Sequence, residues 1–468
     1  MFKYSLNLQP LVIVVLISLL FASIFSSNLL LVIESLVVFY LVYKFTWRRN
    51  EPPVVFLSIL LQLIQVVSIL VISSFKNESI QNFTDFPYHI EEAFHYSLFG
   101  LLFLSIGINI VVHKLPPKNT IQELETEIYS YDSDRVILWY FIFAMSLPFL
   151  QGLSFRLGSF QQIGYKFLEL KWTLFFIFYY VSAYENKRIL FFLSIVLLEV
   201  ILGFAGFFSN YKEVAFALVV CFLTFKYKLS FKQYFVLFFG ILVISGISVV
   251  WQYSKNDYRQ YLSGETSQQV VNVSREEALS KFFEINKDFD LERFYDGTEQ
   301  LFRRVSYLNY FSAAIDYVPA RKPHQNGALV WEATTRSFMP RFLFPNKEIV
   351  DDSKRTMEYT GITVTGAESA TSISMSYVSE LYVDFGFTFL LPAMLLLGVL
   401  IGIIYRYLYF NSYSPMWFYA YLIPLIFSIY LFEMALSKLL PSIMLYFVII
   451  FLFNRFLAKR VDKYFRNV

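Results

Sequence analysis

The segment PVVFLSILLQLIQVVSILVISSF, Pro53–Phe75, contains no Asp, Glu, Lys or Arg. A helix needs about 20 consecutive apolar residues to cross the hydrocarbon of a bilayer, and this segment is long enough. The rest of the chain has the same character: of 468 residues, 57% are hydrophobic and 16% charged, and the mean hydropathy is +0.52. Because a soluble domain has about a quarter charged residues, the composition predicts an all-α polytopic membrane protein.

About twelve segments are candidate transmembrane helices. They are residues 8–26, 28–46, 53–75, 94–113, 135–152, 167–185, 188–207, 210–226, 232–252, 385–408, 415–433 and 438–457. Nine of them precede a long polar segment and three follow it, and we find no internal repeat. Secondary transporters are commonly built from repeats, so this layout argues against that class.

The basic residues of the short loops fall mostly on one side of these spans. Cytoplasmic loops carry an excess of Lys and Arg, so we predict that both termini are cytoplasmic and that the long polar segment is external. The predicted organisation is a membrane domain with nine helices (1–253), an external, partly helical loop (254–376), three further helices (377–457) and a basic cytoplasmic tail (458–468). The basic side carries Lys44, Arg48, Arg49, Lys114, Lys118, Lys187, Arg188, Lys226, Lys228, Lys232, Arg406, Arg455, Lys459, Arg460, Lys463 and Arg466, and the other side only Lys76, Arg156, Lys166, Lys212 and Lys438.

Several classes of function are disfavoured by residue counts. The single cysteine, Cys221, excludes a disulfide framework, and the four histidines show no metal-ligand spacing, so we predict no metal site. The net charge of +3 is too small to suggest a nucleic-acid partner.

The second half of the predicted external loop is basic. Between residues 301 and 347, seven Arg and Lys residues face only Asp316 and Glu332. Arginine bonds phosphate through two parallel hydrogen bonds, so such a cluster suits an anionic headgroup. The alternatives are pairing with loop acids or contact with anionic lipid. The bases are Arg303, Arg304, Arg321, Lys322, Arg336, Arg341 and Lys347.

The first half of the loop has a different pattern. In residues 255–299 acids and bases alternate and apolar residues recur at helical spacing, which predicts one or two amphipathic helices. The simpler interpretation of their charged residues is a solvated helix face and not a binding site.

Within this loop, SFMPRFLFPNKE (Ser337–Glu348) combines rigidity with charge. Pro340 and Pro345 fix their own φ and disfavour helix at the preceding residues. Arg341 and Lys347 are then held on a stiff backbone, which lowers the entropy cost of binding an anion. The residues alone predict an external anion clamp.

Two carboxylates follow close to the outer mouth of the tenth span. Glu380 and Asp384 are four residues apart and share one helical face. Either is a candidate general base or a partner that orients an arginine, and the alternative is a helix-end carboxylate that meets water. Further charges fall in apolar surroundings, where burial is costly: Glu34, Glu169, Lys171, Glu199 and Glu433.

The stretch Ser337–Glu348, followed by SYVSELYVDFGF (Ser376–Phe387), resembles the oligosaccharide repeat-unit polymerases, the Wzy-type O-antigen polymerases. The matching positions are Pro340, Arg341, Pro345, Lys347, Glu380, Phe385 and Gly386, with Tyr377 in the aromatic stretch. Lys212 stands where the family more often has arginine, and Glu348 where proline is common. The layout of many spans with one large external loop before the last helices is also similar.

The resemblance implies a membrane glycosyltransferase similar to the glycosyltransferase C superfamily. It would transfer a growing glycan from undecaprenyl pyrophosphate to a sugar hydroxyl of the incoming lipid-linked unit, at the outer face of a bacterial inner membrane, without cofactor or metal. Membrane lipids and a chain-length regulator are further candidate partners. The alternatives are an O-antigen ligase-type transferase and a flippase or transporter of lipid-linked oligosaccharide.

Roles follow from that chemistry. Cations would stabilise the charge that develops on the pyrophosphate, and a proton acceptor must lie within reach of the acceptor hydroxyl. We rank Glu380 first as base, before Asp384, Glu332 and His324, and place Arg341 with the catalytic residues. The predicted substrate-binding residues are Lys212, Arg303, Arg304, His324, Arg336, Arg341, Lys347 and Tyr377.

Overall fold

The computed structural model describes residues 27–48, 51, 53–84, 86, 88–116, 120–156, 161–185, 189–204, 211–224, 231–264, 272–339, 343–344, 346–348, 350–364 and 372–466. These residues form α-helices and one short 3₁₀ helix, and no strand occurs among them. The predicted all-α class is confirmed for this part of the chain.

The helices are, in chain order, α1 (Leu29–Thr46), α2 (Val54–Phe75), α3 (Ile90–Val112), α4 (Thr120–Ser130), α5 (Ser133–Arg156), α6 (Gln161–Leu168), α7 (Leu170–Glu185), α8 (Ile189–Phe204), α9 (Tyr211–Thr224), α10 (Phe231–Leu262), α11 (Arg275–Ile285), α12 (Leu291–Val305), α13 (Leu308–Tyr317), α14 (Ala328–Phe338), α15 (Asp352–Thr360), α16 (Tyr377–Asn411), α17 (Pro415–Ile429), α18 (Leu436–Phe456) and α19 (Ala458–Phe465).

Five helices of the described chain are long and apolar enough to cross a membrane: α1, α2, α3, α16 and α18. The predicted span 8–26 lies outside the described residues, and each of the other eleven overlaps a helix. Two of these eleven predicted spans are not the single helices of the predicted length. Residues 167–185 are divided at Glu169, whose carboxylate lies 2.7 Å from Lys166 Nζ. The tenth predicted span, 385–408, is part of a longer helix that begins at Tyr377.

Helices α3 and α16 pack closely because both present glycine at their crossing. A Cβ added to Gly107 would lie 2.1 Å from the main-chain oxygen of Leu395, and one added to Gly398 would lie 2.1 Å from that of Leu104. Gly402 follows Gly398 by one turn, which makes the small-xxx-small spacing that lets membrane helices approach. This crossing fixes α16, the helix that builds the candidate site.

Helix α16 is broken at Gly386, where φ is 61° and ψ is −169°. Val378 and Met394, on opposite sides of the break, both lie within 4 Å of the position that a Cβ of Gly100 would take. The two arms of α16 therefore reach the same level of α3, and the helix folds back on itself.

The break removes helical partners from main-chain carbonyls, and the segment before α14 replaces them. The N–H of Gln325 donates to Val383 O at 2.9 Å, and the N–H of Asn326 donates to Asp384 O at 2.9 Å. Since a buried carbonyl without a partner is costly, these bonds hold the start of α14 against the angle of α16.

Helices α11–α15 gather at the end of the bundle where α2 ends and α3 begins. Lys76 Nζ lies 3.0 Å from Glu299 Oε2, and Ser312 Oγ donates to Phe86 O at 2.8 Å. Residues 255–299, predicted to form one or two helices, contain the end of α10, all of α11 and the first part of α12. Ser274 starts α11 with a capping box to Glu277.

Candidate functional site

A cavity of about 910 Å³ lies in the angle of α16, between that helix, α14 and α18. Toward the later turns of α16 and α18 its lining is apolar and includes Leu397, Leu400, Leu440 and Met444. Beside the break in α16, at the end that we call the mouth, its lining is polar, with His324, Asn326, Thr334, Ser337, Asp384 and Thr388. On its flank Phe338, Phe389 and Leu396 are 68%, 60% and 66% exposed, and two of these belong to the membrane-length helix α16. We call this cavity the groove.

His324 is held at the mouth with one ring nitrogen fixed. Its Nδ1 lies 3.1 Å from Tyr382 O and 3.2 Å from Val383 O. Because both neighbours are acceptors, Nδ1 carries the proton and donates, and in the neutral ring Nε2 keeps its lone pair. A Cβ on Gly386 would come within 3.2 Å of Nε2, so glycine leaves that nitrogen room. His324 can therefore accept a proton from a ligand hydroxyl in the groove.

Asp384 also lines the groove, but its carboxylate is occupied. Oδ1 accepts from Leu329 N at 3.0 Å and Oδ2 from Val330 N at 2.8 Å. These are first-turn amides of α14, where a negative charge is favourable. The fully buried Asp384 thus fastens α14 to α16, which makes it a poorer proton acceptor than its sequence position suggests.

Glu380, one turn earlier, belongs to a buried charge network that we call the α15 network. Oε2 accepts from Leu436 N at 2.7 Å, while Oε1 lies 3.6 Å from Arg355 Nη1. Arg355 Nη2 binds Glu332 Oε2 at 2.6 Å, and Arg336 Nε binds Glu332 Oε1 at 2.7 Å. Glu380 and Asp384 share a helix but engage different partners.

Arg355 is the central cation of the α15 network. Burial by itself would lower its pKa, but the carboxylates of Glu380 and Glu332 outweigh that effect and hold the pKa above its usual value. Its Nη1 is buried and makes no hydrogen bond within the described part of the chain. The guanidinium therefore stays charged and keeps one donor uncommitted.

The stretch Ser337–Glu348 is tied to the end of α14. Lys347 Nζ donates to Arg336 O at 2.8 Å and to Met339 O at 2.9 Å, while Arg336 Nη1 donates to Glu348 O at 2.9 Å. Arg336 and Lys347, both predicted to bind the substrate, thus join the two ends of this stretch to each other. Arg341, with Pro340 and Pro345, lies outside the described residues. Leu343 and Phe344 are exposed, consistent with an interfacial position.

Of the other predicted residues, Arg304 and Tyr377 do not line the groove, and Lys212 and Arg303 are described only by their backbone. The backbone of Lys212 lies in the first turn of α9, and that of Arg303 in α12. Arg304 lies near Tyr307, which is hydrogen-bonded to Glu433; burial and Glu433 raise the pKa of Tyr307, and Arg304 lowers it. The buried Tyr377 donates to Gln62 Oε1 at 2.6 Å, a helix-packing contact.

Sequence reasoning missed two charged residues of this region, Arg355 and Asp352. Arg355 is described above; Asp352, 3% exposed, lies 2.5 Å from Lys438 Nζ and accepts from Ser372 Oγ at 3.1 Å. Both were missed because the basic cluster was defined over residues 301–347, and the short helix α15 lies after it. The sequence DDSKR offered a signal, since Asp351 caps α15 and Asp352 and Arg355 are one turn apart.

The described residues together define an all-α protein that has five helices of membrane-spanning length and a groove beside a charge network. The chain belongs to the family DUF8712, described as a domain of unknown function, whose model matches residues 88–460. No curated protein and no solved structure matches the chain. Among the described residues, no group of three or more His, Cys, Asp or Glu side chains is arranged to hold a metal ion.

Proposed function

We propose that this chain is a membrane glycosyltransferase that polymerises lipid-linked oligosaccharide repeat units. The observation that carries the proposal is the groove, whose polar mouth continues into an apolar cleft of a membrane-length helix. A glycan joined to a polyprenyl pyrophosphate has this same division. The volume of about 910 Å³ is at the upper end of ordinary ligand sites, so the groove has room for a sugar and part of a lipid chain.

The exposed flank of the groove supports entry from the bilayer. Phe338, Phe389 and Leu396 would meet lipid and not water if α16 crosses the membrane. A lipid-linked substrate then slides in sideways, with its chain against Leu397 and Leu440 and its headgroup at His324 and Ser337.

The proposed topology has twelve spans, with residues 254–376 external between the ninth and the tenth and both termini cytoplasmic. The two ends of the bundle support it by their charge. Lys44, Lys114, Arg406 and Lys459 lie near helix ends opposite to the one that gathers α11–α15. The proposed setting is a bacterial inner membrane, with a chain-length regulator as partner and no nucleic acid.

In the proposed reaction, the bond between the growing glycan and its pyrophosphate breaks as a hydroxyl of the incoming unit attacks the sugar carbon. The hydroxyl proton passes to a base, and the lipid pyrophosphate leaves with the bonding electrons. Of the four base candidates, the contacts favour His324, because Asp384 is committed to α14 and Glu380 and Glu332 to Arg355. Arg341 stays the leading candidate for the leaving pyrophosphate, with no metal required.

The test is a glycan ladder from cells that lack this gene and carry wild type, His324→Gln, Arg341→Ala or Arg341→Lys. His324→Gln and Arg341→Ala should each reduce polymer about 100-fold or more and leave single repeat units on the glycan acceptor. Arg341→Lys should restore little, because lysine cannot bond phosphate through a planar fork.

His113→Gln is the matched control. His113 Nδ1 also contacts main-chain carbonyls, those of Asn109 and Ile110, but at the opposite end of the bundle. A normal ladder with well-expressed His324→Gln and Arg341→Ala would refute the proposed polymerase. Loss of even single units from the acceptor would favour the ligase alternative, and dependence on the ion pair of Lys171 and Glu199 instead would favour a flippase.

A further inference from the structure

The last helix, α19, presents a basic face that the proposed chemistry does not use. Ala458, Asp462 and Phe465 are buried against the bundle. Lys459, Arg460, Lys463 and Tyr464 are exposed and, at 100° per residue, lie on the opposite side of the helix. Arg455, Phe456 and Leu457, at the end of α18, are exposed beside them. We call these seven residues the tail face.

The tail face has a fixed orientation because α19 is locked to the bundle. Asp462 accepts hydrogen bonds from Tyr131 OH, from Trp417 Nε1 at 3.0 Å and from Arg466 Nε at 2.6 Å. Arg135 Nη1 donates to Tyr464 O at 2.9 Å. A helix held by contacts on one side cannot turn its cations inward.

Among the described residues, no salt bridge joins a cation of the tail face to a carboxylate, and the acids of this region have other partners. Asp462 is buried, and Glu127 is engaged by Met416 N at 2.9 Å and by Arg466 Nη2 at 3.4 Å. Asp132 lies 3.3 Å from Arg135 Nε. These three carboxylates therefore serve Arg466 and Arg135, and the four cations of the tail face keep their positive charge.

Aromatic residues set the level of the tail face relative to the bilayer. The ring of Tyr464 lies 6.0 Å from that of Trp139, which is 38% exposed in the second turn of α5. Exposed Trp and Tyr are concentrated at the level of the lipid headgroups. Phe456 and Leu457, 65% and 45% exposed, add apolar surface that suits the same level.

We infer that the tail face binds anionic phospholipid headgroups. Four exposed cations on an immobile surface at headgroup level are complementary to lipid phosphate, and the flanking aromatic and aliphatic side chains suit the adjoining acyl region. This inference does not depend on the proposed glycosyltransferase activity.

The test uses the purified full-length chain in a neutral detergent, titrated with phosphatidylglycerol or phosphatidylcholine while its melting temperature is followed. Phosphatidylglycerol should raise the melting temperature at lower concentrations than phosphatidylcholine. Each basic residue near an anionic surface strengthens binding about fivefold. The variant Lys459→Gln, Arg460→Gln, Lys463→Gln should therefore need about 100-fold more phosphatidylglycerol for half the rise.

The matched control is Lys76→Gln, Lys287→Gln, Lys354→Gln, which removes three exposed cations at the opposite end of the bundle. It should keep the wild-type response. Equal responses of wild type and the tail variant, or equal responses to the two lipids, would overturn the inference. If the triple variant does not fold, Lys463→Gln alone should shift the midpoint about fivefold, and an unchanged midpoint would overturn the inference as well.

Discussion

The two ends of the bundle each bury a carboxylate, but they satisfy it differently. At the α19 end, Asp462 is bonded by Tyr131, Trp417 and Arg466. At the groove end, Glu380 has one firm bond, from Leu436 N, and its other oxygen faces Arg355 Nη1 at 3.6 Å, beyond ordinary hydrogen-bond range. A buried carboxylate with complete partners is thus a structural lock, whereas the carboxylate at the groove end leaves Nη1 of Arg355 without a hydrogen bond among the described residues.

The largest expected effect is on stability, and it comes from removing Arg355 at the groove end of the bundle. Arg355→Met leaves Glu380 and Glu332 without their shared partner, and breaking a buried ion pair costs about 3–5 kcal/mol. We expect a value near the lower limit because the side chain of Glu332 is 32% exposed. The measurement is the unfolding midpoint of the purified protein in a denaturing detergent.

The double variant Arg355→Met, Glu380→Gln is the control for this prediction. Since it removes the uncompensated charge of Glu380 together with the cation, it should recover a large part of the lost stability. Wild-type stability of Arg355→Met would mean that the α15 network is not coupled to folding, and the contrast between the two ends would disappear.

A middle effect is expected at the break of α16. Gly386→Ala places a side chain at φ 61° and ψ −169°, a region open essentially only to glycine, at a cost of about 1–3 kcal/mol. The new Cβ would also lie 3.2 Å from His324 Nε2. Polymer should therefore fall more than protein abundance does, which the glycan ladder measures against a membrane blot.

Gly246→Ala is the matched control, because a Cβ at that position meets nothing within 4 Å. If Gly386→Ala left ladder and abundance unchanged, neither the bent α16 nor the space at His324 would matter for the proposed reaction.

Local patterns were enough to predict the long apolar helices, and long-range packing was needed for the site. The apolar run of α2 and the pair Glu380 and Asp384 are visible in the sequence because spacing along one helix sets them. The fold-back of α16 depends on a backbone conformation at Gly386, which the sequence marks only as a glycine. The partnership of Arg355 with Glu380 joins residues 25 positions apart, and no periodicity reveals it.

Charge pattern did not predict the protein contacts of the basic loop. Arg336 and Lys347 were predicted to hold an anion because they lie in a basic loop. In the folded chain their donors meet Glu332 and main-chain oxygens at the end of α14. Such contacts arise where the loop turns back on its helix, a geometry that composition does not encode. Whether they also contact a ligand stays a prediction.

The smallest effect on stability is expected at the α19 end, where Asp462 has all its partners. Tyr131→Phe removes one hydrogen bond from Asp462 and leaves those from Trp417 and Arg466, so we expect a loss of about 1 kcal/mol in the same unfolding measurement. Polymer length should not change, because this end has no proposed part in the reaction. A ladder shortened by Tyr131→Phe at normal abundance would mean that the two ends are coupled, and that the lock on α19 influences the groove. An unchanged ladder together with the small loss of stability would instead show that a buried carboxylate with complete partners serves the fold alone.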